Sequence, residues 1–200
     1  MEISVAGMIL AGGLNSRMGG YNKAFLRLGN SLLLNRILAT LKYNFSEILL
    51  ITRDCERYRQ WEFQIVNDVF EARSPLSGIH AGLLNMEADY AFCIACDTPF
   101  LKKELIEFLL NEIRPSADVI VPFSGEEFQP LCAVYSKQCI GRIEEQIGQN
   151  DLRVDNLFDK VSLKKIPYEK LKKVDPQLIS FFNVNTPADL RMAKQFLNIK

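Results

Sequence analysis

Hydrophobic and polar positions along the chain follow two alternating periods. Short apolar runs rich in β-branched and aromatic residues favour strands, and stretches with apolar residues every three or four positions favour amphipathic helices. The short runs predict strands over residues 3–10, 47–52, 63–66, 90–96, 118–122, 129–135, 161–166 and 181–184. The longer period predicts helices over 77–86 and 136–148, and a third helix that buries Leu34, Ile37, Leu38 and Leu41. Two more helices are predicted, of which one begins at Thr98-Pro99 and the other begins with a capping box at Thr186.

The alternation of strands and helices predicts an α/β protein with a parallel or mostly parallel sheet and right-handed crossovers. The run over 90–96 is the most continuous apolar one, as expected of a central strand that is covered on both faces. No repeat, low-complexity tract or linker interrupts the pattern. We therefore expect one domain over residues 1–200.

Small or polar residues follow five of the predicted strands at the point where each strand ends. They are Ala11, Gly12 and Gly13 after the first strand, Thr52 and Arg53 after the second, Asp68 after the third, Asp97 after the central one, and Asn183 and Asn185 around a late one. In open α/β sheets, ligands bind beyond the carboxyl ends of the strands. The sequence thus predicts a binding site at this edge.

Composition and charge exclude several classes of protein. Lysine plus arginine and aspartate plus glutamate both number 24, which argues against a nucleic-acid binder that works by phosphate neutralisation. The amino terminus has no basic leader, and no apolar run approaches the roughly 20 residues that a membrane span needs. We expect a cytoplasmic protein that binds neither nucleic acid nor a membrane.

The five cysteines are odd in number, and two of them form the motif C-I-A-C at Cys93 and Cys96. This spacing is compatible with a redox or metal pair, but no second pair or histidine cluster completes a zinc site. We expect buried, reduced core cysteines, in agreement with a cytoplasmic location.

The candidate chemistry is concentrated in ILAGGLNSRMGGYNKAFL, residues 9–26. Gly12 and Gly13 leave the backbone amides open to phosphate oxygens, and Arg17 and Lys23 supply charge for a polyphosphate. A plain glycine turn with solvated cations is the alternative. Neither the Walker pattern nor G-x-G-x-x-G occurs, so kinase, ATPase and dehydrogenase functions lose their main support.

The segment LAGGLNSRMGGYNKAFL resembles the signature loop of the nucleotidyltransferases with a Rossmann-like fold, and its Gly13 resembles in particular the molybdenum cofactor guanylyltransferases. Further matches follow in family order up to Leu190. They are Asp68 with S-P-L-S-G at 74–78, C-D-T-P-F-L at 96–101, Q-P-L-C-A-V-Y at 129–135 and N-V-N-T-P-A-D-L at 183–190. Each motif alone is weak, but the combination is specific.

The resemblance implies a three-layer α/β/α fold and transfer of GMP from GTP to the phosphate of molybdenum-bearing molybdopterin, with Mg²⁺ and release of pyrophosphate. It implies GTP and molybdopterin as substrates, and apo-molybdoenzymes or other cofactor-biosynthesis proteins as further partners. The residues carried over for the nucleotide are Leu10, Ala11, Gly12, Gly13, Lys23, Thr52, Asp68 and Asp97. Lys23, Arg17 and Asp97 are the catalytic candidates, with Asp97 as metal ligand, and Asn183 and Asn185 are weaker candidates for the acceptor.

The chemistry agrees with these roles. The attacking phosphate is largely ionised near neutral pH, so the reaction needs charge neutralisation rather than a general base, and His80 is expected to be a helix-surface or packing residue. Guanine presents hydrogen-bond donors, which a carboxylate such as Asp68 can accept. Structural alternatives remain: Asp97 as a helix cap, Asp68 as a turn residue, and the two asparagines as a strand end and a cap.

Two residues depart from the family pattern. Asn22 replaces the aspartate that usually precedes the loop lysine, and Ser74 replaces a common glycine. Two other functions therefore stay open. One is a related nucleotidyltransferase that uses CTP on the pterin or an NTP on a sugar phosphate, and the other is a non-catalytic GTP-binding regulator.

Overall fold

The predicted apolar runs form a central sheet in the computed structural model, which describes residues 3–12, 22–61, 63–68, 70, 73–125 and 127–198. The strands in these ranges are β1 (Val5–Leu10), β2 (Arg27–Leu28), β3 (Ser31–Leu32), β4 (Ile48–Ile51), β5 (Gln64–Val66), β6 (Tyr90–Ala95), β7 (Val119–Ser124), β8 (Glu127–Phe128), β9 (Cys132–Ser136) and β10 (Leu163–Pro167). The helices are α1 (Leu33–Asn44), α2 (Pro75–Asn85), α3 (Lys103–Asn111), α4 (Ile140–Gly148), α5 (Tyr168–Leu171) and α6 (Pro187–Phe196). Short 3-10 helices lie at Lys23–Phe25, Cys55–Tyr58, Lys137–Cys139, Val154–Leu157 and Ile179–Phe181.

The order of strands in the sheet is β10-β7-β9-β6-β1-β4-β5, and β8 pairs with β7. The pairs β1–β4, β1–β6, β4–β5 and β7–β10 are parallel. Strand β9 is antiparallel to both of its neighbours, β6 and β7. The predicted mostly parallel sheet is confirmed.

Two helical layers cover the sheet. Leu34 and Leu41 of α1 pack in the same core cluster as Leu105 of α3, while Ile79 of α2 and Ile143 of α4 belong to the cluster on the other face. Strand β6 contributes side chains to both clusters, because successive side chains of a strand point to opposite faces. Phe92 and Ile94 belong to the first cluster, and Ala91 and Cys93 belong to the second. The expected three-layer α/β/α fold is therefore confirmed.

Strand order reverses at β1, which has β4 on one side and β6 on the other. The register pairs Leu10 with both Ile51 and Ala95, so the three strands end level with one another. A crevice forms beyond the carboxyl ends of strands at such a switch point. The fold thus directs the residues that follow β1, β4 and β6 toward one place.

Two sequence predictions are wrong. The helix expected at Thr98-Pro99 begins at Lys103, because the Thr98 hydroxyl donates to the Ala95 carbonyl (2.7 Å) instead of capping a helix. The segment 181–184, expected as a strand, ends the 3-10 helix Ile179–Phe181 and continues without strand pairing. Both segments contact each other, and that tertiary contact outweighs their local preference.

All five cysteines are free. Cys93, Cys132 and Cys139 are buried as expected, whereas Cys55 and Cys96 are partly exposed. Across the part of the chain that the structure describes, no helix combines the length and apolar character needed to cross a bilayer.

Candidate active site

A cavity of about 370 Å³ lies beyond the carboxyl ends of β1, β4, β5 and β6. Its size suits a small-molecule ligand. Its polar, charged or glycine lining includes Gly12, Lys23, Thr52, Arg53, Asp68, Arg73, Ser74, Gly78, Asp97 and Asn185. Apolar contacts come from Leu10, Ile51, Pro75, Ala95 and Leu131.

On one side of the cavity, three residues from distant parts of the chain meet. The Lys23 ammonium donates to Asp97 Oδ2 at 2.9 Å and to Asn185 Oδ1 at 2.5 Å. The side chains of Lys23 and Asp97 are only 17% and 14% exposed, so water screens their attraction less than at the surface. Two oxygen ligands are thus arranged around one cation. We call these three residues the lysine–carboxylate cluster.

Asn22 holds Lys23 in place. Its side-chain oxygen accepts from the Ala24 amide (3.0 Å) and caps the 3-10 helix, while its amide donates to the Tyr58 hydroxyl (2.8 Å). Phe25 packs against the same tyrosine, with ring centroids 5.0 Å apart. The departure from aspartate therefore leaves the turn supported, and the carboxylate partner of Lys23 is Asp97.

Asp97 and Asn185 are positioned together. Asp97 comes two residues after β6, and its backbone carbonyl accepts from the Val184 amide at 2.8 Å. The Asn185 amide donates to Asp189 (3.0 Å), which also forms the predicted capping box with Thr186 at the start of α6. The capping box confirmed here fixes the backbone that carries Asn185.

On the other side of the cavity, Asp68 is held by nearby groups. Its Oδ1 accepts from the Phe70 amide at 3.1 Å, and its Oδ2 lies 3.4 Å from Arg53, which also donates to the Phe70 carbonyl. Thr52 is 2% exposed, and its hydroxyl accepts from the Asp54 amide at 3.2 Å. We call Thr52, Arg53 and Asp68 the arginine–carboxylate group.

The amino-terminal end of α2 completes this second side. Ser74 has an extended backbone (φ −144°) that any residue can adopt, so its place in a common glycine position causes no strain. Its hydroxyl caps the helix by accepting from the Ser77 amide at 3.1 Å. Gly78 lets the helix approach β1, because a Cβ there would lie 3.1 Å from Leu10 Cδ2. Helix amino termini favour anions.

Cys96 lies in the cavity wall beside Asp97. Burial and, to a smaller extent, the neighbouring Asp97 carboxylate raise the pKa of its thiol to about 12, so it stays protonated at neutral pH. The described residues contain no group of three histidine, cysteine, aspartate or glutamate side chains that could hold a metal. Asp97 and the amide oxygen of Asn185 already share one cation, the Lys23 ammonium, and hard oxygen ligands of this kind suit Mg²⁺.

Several sequence-selected residues meet at this cavity: Leu10, Gly12, Lys23, Thr52, Asp68, Asp97 and Asn185. Ala11 is outside its lining and is buried, with its amide donating to the Ile51 carbonyl. Asn183 is exposed and outside the lining as well. Gly13 and Arg17 lie outside the described residues.

Sequence reasoning missed Arg73 and did not select Arg53 as a site residue, although both line the cavity. Arg53 comes directly after a predicted strand, and this position could have identified it as a site residue. Arg73 lies just before α2, so its place in the cavity depends on where that helix packs. His80 is a packing residue as expected: it is 2% exposed, lies 3.0 Å from Glu144, and contacts the Phe70 ring.

Comparison with known families identifies the family of this chain. The family model described as a MobA-like NTP transferase domain matches residues 7–161. The chain belongs to the MobA-like NTP transferase family. The resemblance that the loop motifs indicated is thereby confirmed, and the protein is a nucleotidyltransferase.

Relatives and solved structures agree with this membership in the MobA-like NTP transferase family. The chain is 38% identical over 191 residues to a molybdenum cofactor guanylyltransferase of Desulfosudis oleivorans, covering 96% of this chain and 95% of the relative. A probable molybdenum cofactor guanylyltransferase of Clostridium perfringens is 34% identical, covering 92% and 93%.

The crystal structure of molybdopterin-guanine dinucleotide biosynthesis protein A from Archaeoglobus fulgidus is similar, with a TM-score of 0.86, 27% identity and coverage of 96% and 98%. A 4-diphosphocytidyl-2C-methyl-D-erythritol synthase from Anaerococcus prevotii (TM-score 0.73, 15% identity, coverage of 98% and 96%) shares the fold alone.

Proposed function

We propose that this nucleotidyltransferase transfers GMP from GTP to the phosphate of molybdenum-bearing molybdopterin, forming molybdopterin guanine dinucleotide and pyrophosphate. The observation that carries the proposal is the lysine–carboxylate cluster at the carboxyl ends of β1 and β6, in a family member whose relatives are named as molybdenum cofactor guanylyltransferases. A reaction between two phosphates needs cations that neutralise their negative charge, and Lys23 supplies one in this cavity.

In the reaction, an oxygen of the acceptor phosphate bonds to the α-phosphorus of GTP, and the bond from that phosphorus to the bridging oxygen breaks. The electron pair leaves with pyrophosphate. Since the acceptor phosphate has its second pKa near 6, about one group in ten or fewer stays protonated at neutral pH, and no side chain has to remove a proton. The single histidine, His80, is buried, contacts the edge of the Phe70 ring and does not line the cavity, so we assign it no catalytic role.

Lys23 would neutralise the triphosphate and the leaving pyrophosphate, where negative charge develops. Arg17, which precedes Lys23 in the same sequence motif, is proposed as the second cation of this role. Asp97 and Asn185 would hold Mg²⁺, because their oxygens already converge on one cation. When bound, this ion supplies further charge neutralisation to the phosphates.

The arginine–carboxylate group is the proposed base-reading side. Asp68 offers carboxylate oxygens to the donors of guanine, and Leu10 contributes an apolar surface within the same cavity. Thr52 keeps the turn after β4 in place through its bond to Asp54. We propose Gly12 and Gly13 as the open backbone beside the phosphates.

The enzyme is proposed to act in the cytoplasm, which its five free cysteine thiols support, since thiols persist in reducing compartments. Its substrates there would be GTP and molybdopterin. Apo-molybdoenzymes or other proteins of cofactor biosynthesis are the proposed recipients of the product.

The test is pyrophosphate release with Mg²⁺ and each of the four NTPs, with and without molybdenum-bearing molybdopterin. We expect release only when GTP and the pterin are both present. Preference for CTP, or release with a sugar phosphate in place of the pterin, would assign the protein to a related transferase. Tight GTP binding without release under any condition would make it a regulator.

A further inference from the structure

Asp175 is a buried carboxylate outside the cavity. Its side chain is 0% exposed and forms an ion pair with Lys102, whose Nζ lies 2.9 Å from Asp175 Oδ1. The other oxygen accepts from the Ser180 amide at 2.9 Å. A charge so completely removed from water is costly unless it is paired, so these contacts stabilise the segment around Asp175.

Asp175, Lys102 and Ser180 lie at one end of a longer contact between two segments of the chain. The Lys102 amide donates to the Ser180 hydroxyl at 3.1 Å, and the Val184 amide donates to the Asp97 carbonyl at 2.8 Å. Between these two bonds, the rings of Phe100 and Phe182 meet edge to face with centroids 5.9 Å apart. Residues 97–102 and 180–184 therefore run antiparallel, side by side.

This pairing carries two members of the lysine–carboxylate cluster. Asp97 begins the first segment, and Asn185 directly follows the second. The ion pair lies at the end of both segments that is far from the cluster, and the cavity lining includes neither Asp175 nor Lys102.

The pairing also explains why neither segment took its predicted form. The Lys102 amide donates to Ser180, and α3 starts at Lys103 rather than at Pro99. Residues beyond the 3-10 helix Ile179–Phe181 bond to a loop instead of to a sheet edge. Asp175 lies beyond the family match, which ends at residue 161.

We propose that Asp175 is a positioning residue for the transfer reaction: through Lys102 and Ser180 it aligns the segment that carries Asn185 with the segment that carries Asp97. This rests on the proposed function of the cavity. Displacement of catalytic oxygens by an ångström costs up to about 100-fold in rate. Loss of the ion pair therefore lowers turnover and metal affinity, and leaves base selection by Asp68 unchanged.

The test compares Asp175→Asn with Glu112→Gln, a matched control. Glu112 also pairs with a lysine, Lys164, at 2.7 Å, and its side chain is 25% exposed; neither residue lines the cavity. A milder variant, Ser180→Ala, removes only the hydroxyl that Lys102 contacts. Each protein is measured at a temperature where thermal melts show it fully folded.

Three readouts are taken: kcat and KM for GTP, Mn²⁺ affinity by electron paramagnetic resonance with GTP present, and hydrogen exchange of the Val184 amide. Asp175→Asn should lower kcat and Mn²⁺ affinity by about tenfold and speed Val184 exchange, with the GTP-over-CTP ratio of kcat/KM unchanged. Ser180→Ala should do the same to a smaller extent, and Glu112→Gln should match the wild type.

Wild-type kcat and Mn²⁺ affinity in folded Asp175→Asn would overturn the proposal, as would equal losses in Glu112→Gln. Failure of the proposed function is distinguishable, because the wild type itself would then release no pyrophosphate. Mn²⁺ affinity and Val184 exchange would still decide whether Asp175 aligns the two segments.

Discussion

The two sides of the cavity are built in different ways. In the lysine–carboxylate cluster, Lys23 bonds to residues 74 and 162 positions away in the sequence. In the arginine–carboxylate group, Asp68 bonds to residues 15 and two positions away. One side joins three distant elements, and the other is held by turns that follow β4 and β5.

This difference indicates that the two sides have different roles, one in catalysis and the other in base selection. Oxygens and a cation that are fixed by the whole fold are suited to stabilising charge in a transition state, since they need no rearrangement when the reaction occurs. A carboxylate on a local turn is suited to selecting a base by hydrogen bonds. The sequence of such a loop can vary between related proteins without disturbing the sheet. If catalysis and base selection are separated in this way, variants of the two sides will lose different properties.

Lys23→Ala and Asp97→Asn should have the largest effects. Each removes one member of the ion pair whose atoms are 2.9 Å apart, and we expect kcat to fall by about 100-fold or more. The measurement is steady-state pyrophosphate release at saturating GTP and Mg²⁺. The control is Arg142→Ala, which breaks an exposed pair with Glu145 on α4 and should retain wild-type turnover. Turnover within about threefold of wild type in either cluster variant would contradict its catalytic role.

Asp68→Asn should have a smaller effect of another kind. It replaces a carboxylate that guanine donors could use with an amide, and we expect discrimination between GTP and CTP to fall by about tenfold. The measurement is kcat/KM for both nucleotides. An unchanged ratio would mean that Asp68 serves only as the turn residue that its bond to Phe70 suggests.

Acid should weaken the ion pair between Asp175 and Lys102. Burial by itself raises the pKa of Asp175, but the Lys102 ammonium and the Ser180 amide and hydroxyl outweigh it and hold the pKa below its ordinary value of 3.8. The stabilisation is therefore present in full above pH 3.8 and is lost as the pH falls through the lower folded value.

At pH 7, Asp175→Asn should lower the free energy of unfolding by about 1–3 kcal/mol, measured by urea denaturation. The difference in the free energy of unfolding between Asp175→Asn and the wild type should be smaller when the measurement is repeated at pH 3. A gap that stays constant between the two pH values would show that the Asp175 charge contributes nothing to folding.

The sequence allowed much of the cavity to be predicted because its residues follow strands. The apolar runs that end at Leu10, Ile51 and Ala95 are periodic and buried, so their ends could be located, and Gly12, Thr52 and Asp97 follow from them. The capping box at Thr186 is a local motif, so the start of α6 could also be predicted from the sequence.

Other features depend on contacts between distant segments. Thr98-Pro99 is a good helix start in isolation, but the Thr98 hydroxyl bonds backward to Ala95. Arg73 enters the cavity only because α2 packs closely on β1, which no local pattern records. Likewise, Asn183 and Asn185 have similar surroundings in the sequence, but only Asn185 of the two reaches Lys23.

The most direct test of the division between the two sides is the GTP-over-CTP ratio of kcat/KM, measured in parallel for Lys23→Ala and Asp68→Asn. We predict a large loss of kcat with an unchanged ratio for Lys23→Ala, and a reduced ratio with near-normal kcat for Asp68→Asn. A changed ratio in Lys23→Ala, together with an unchanged one in Asp68→Asn, would contradict it.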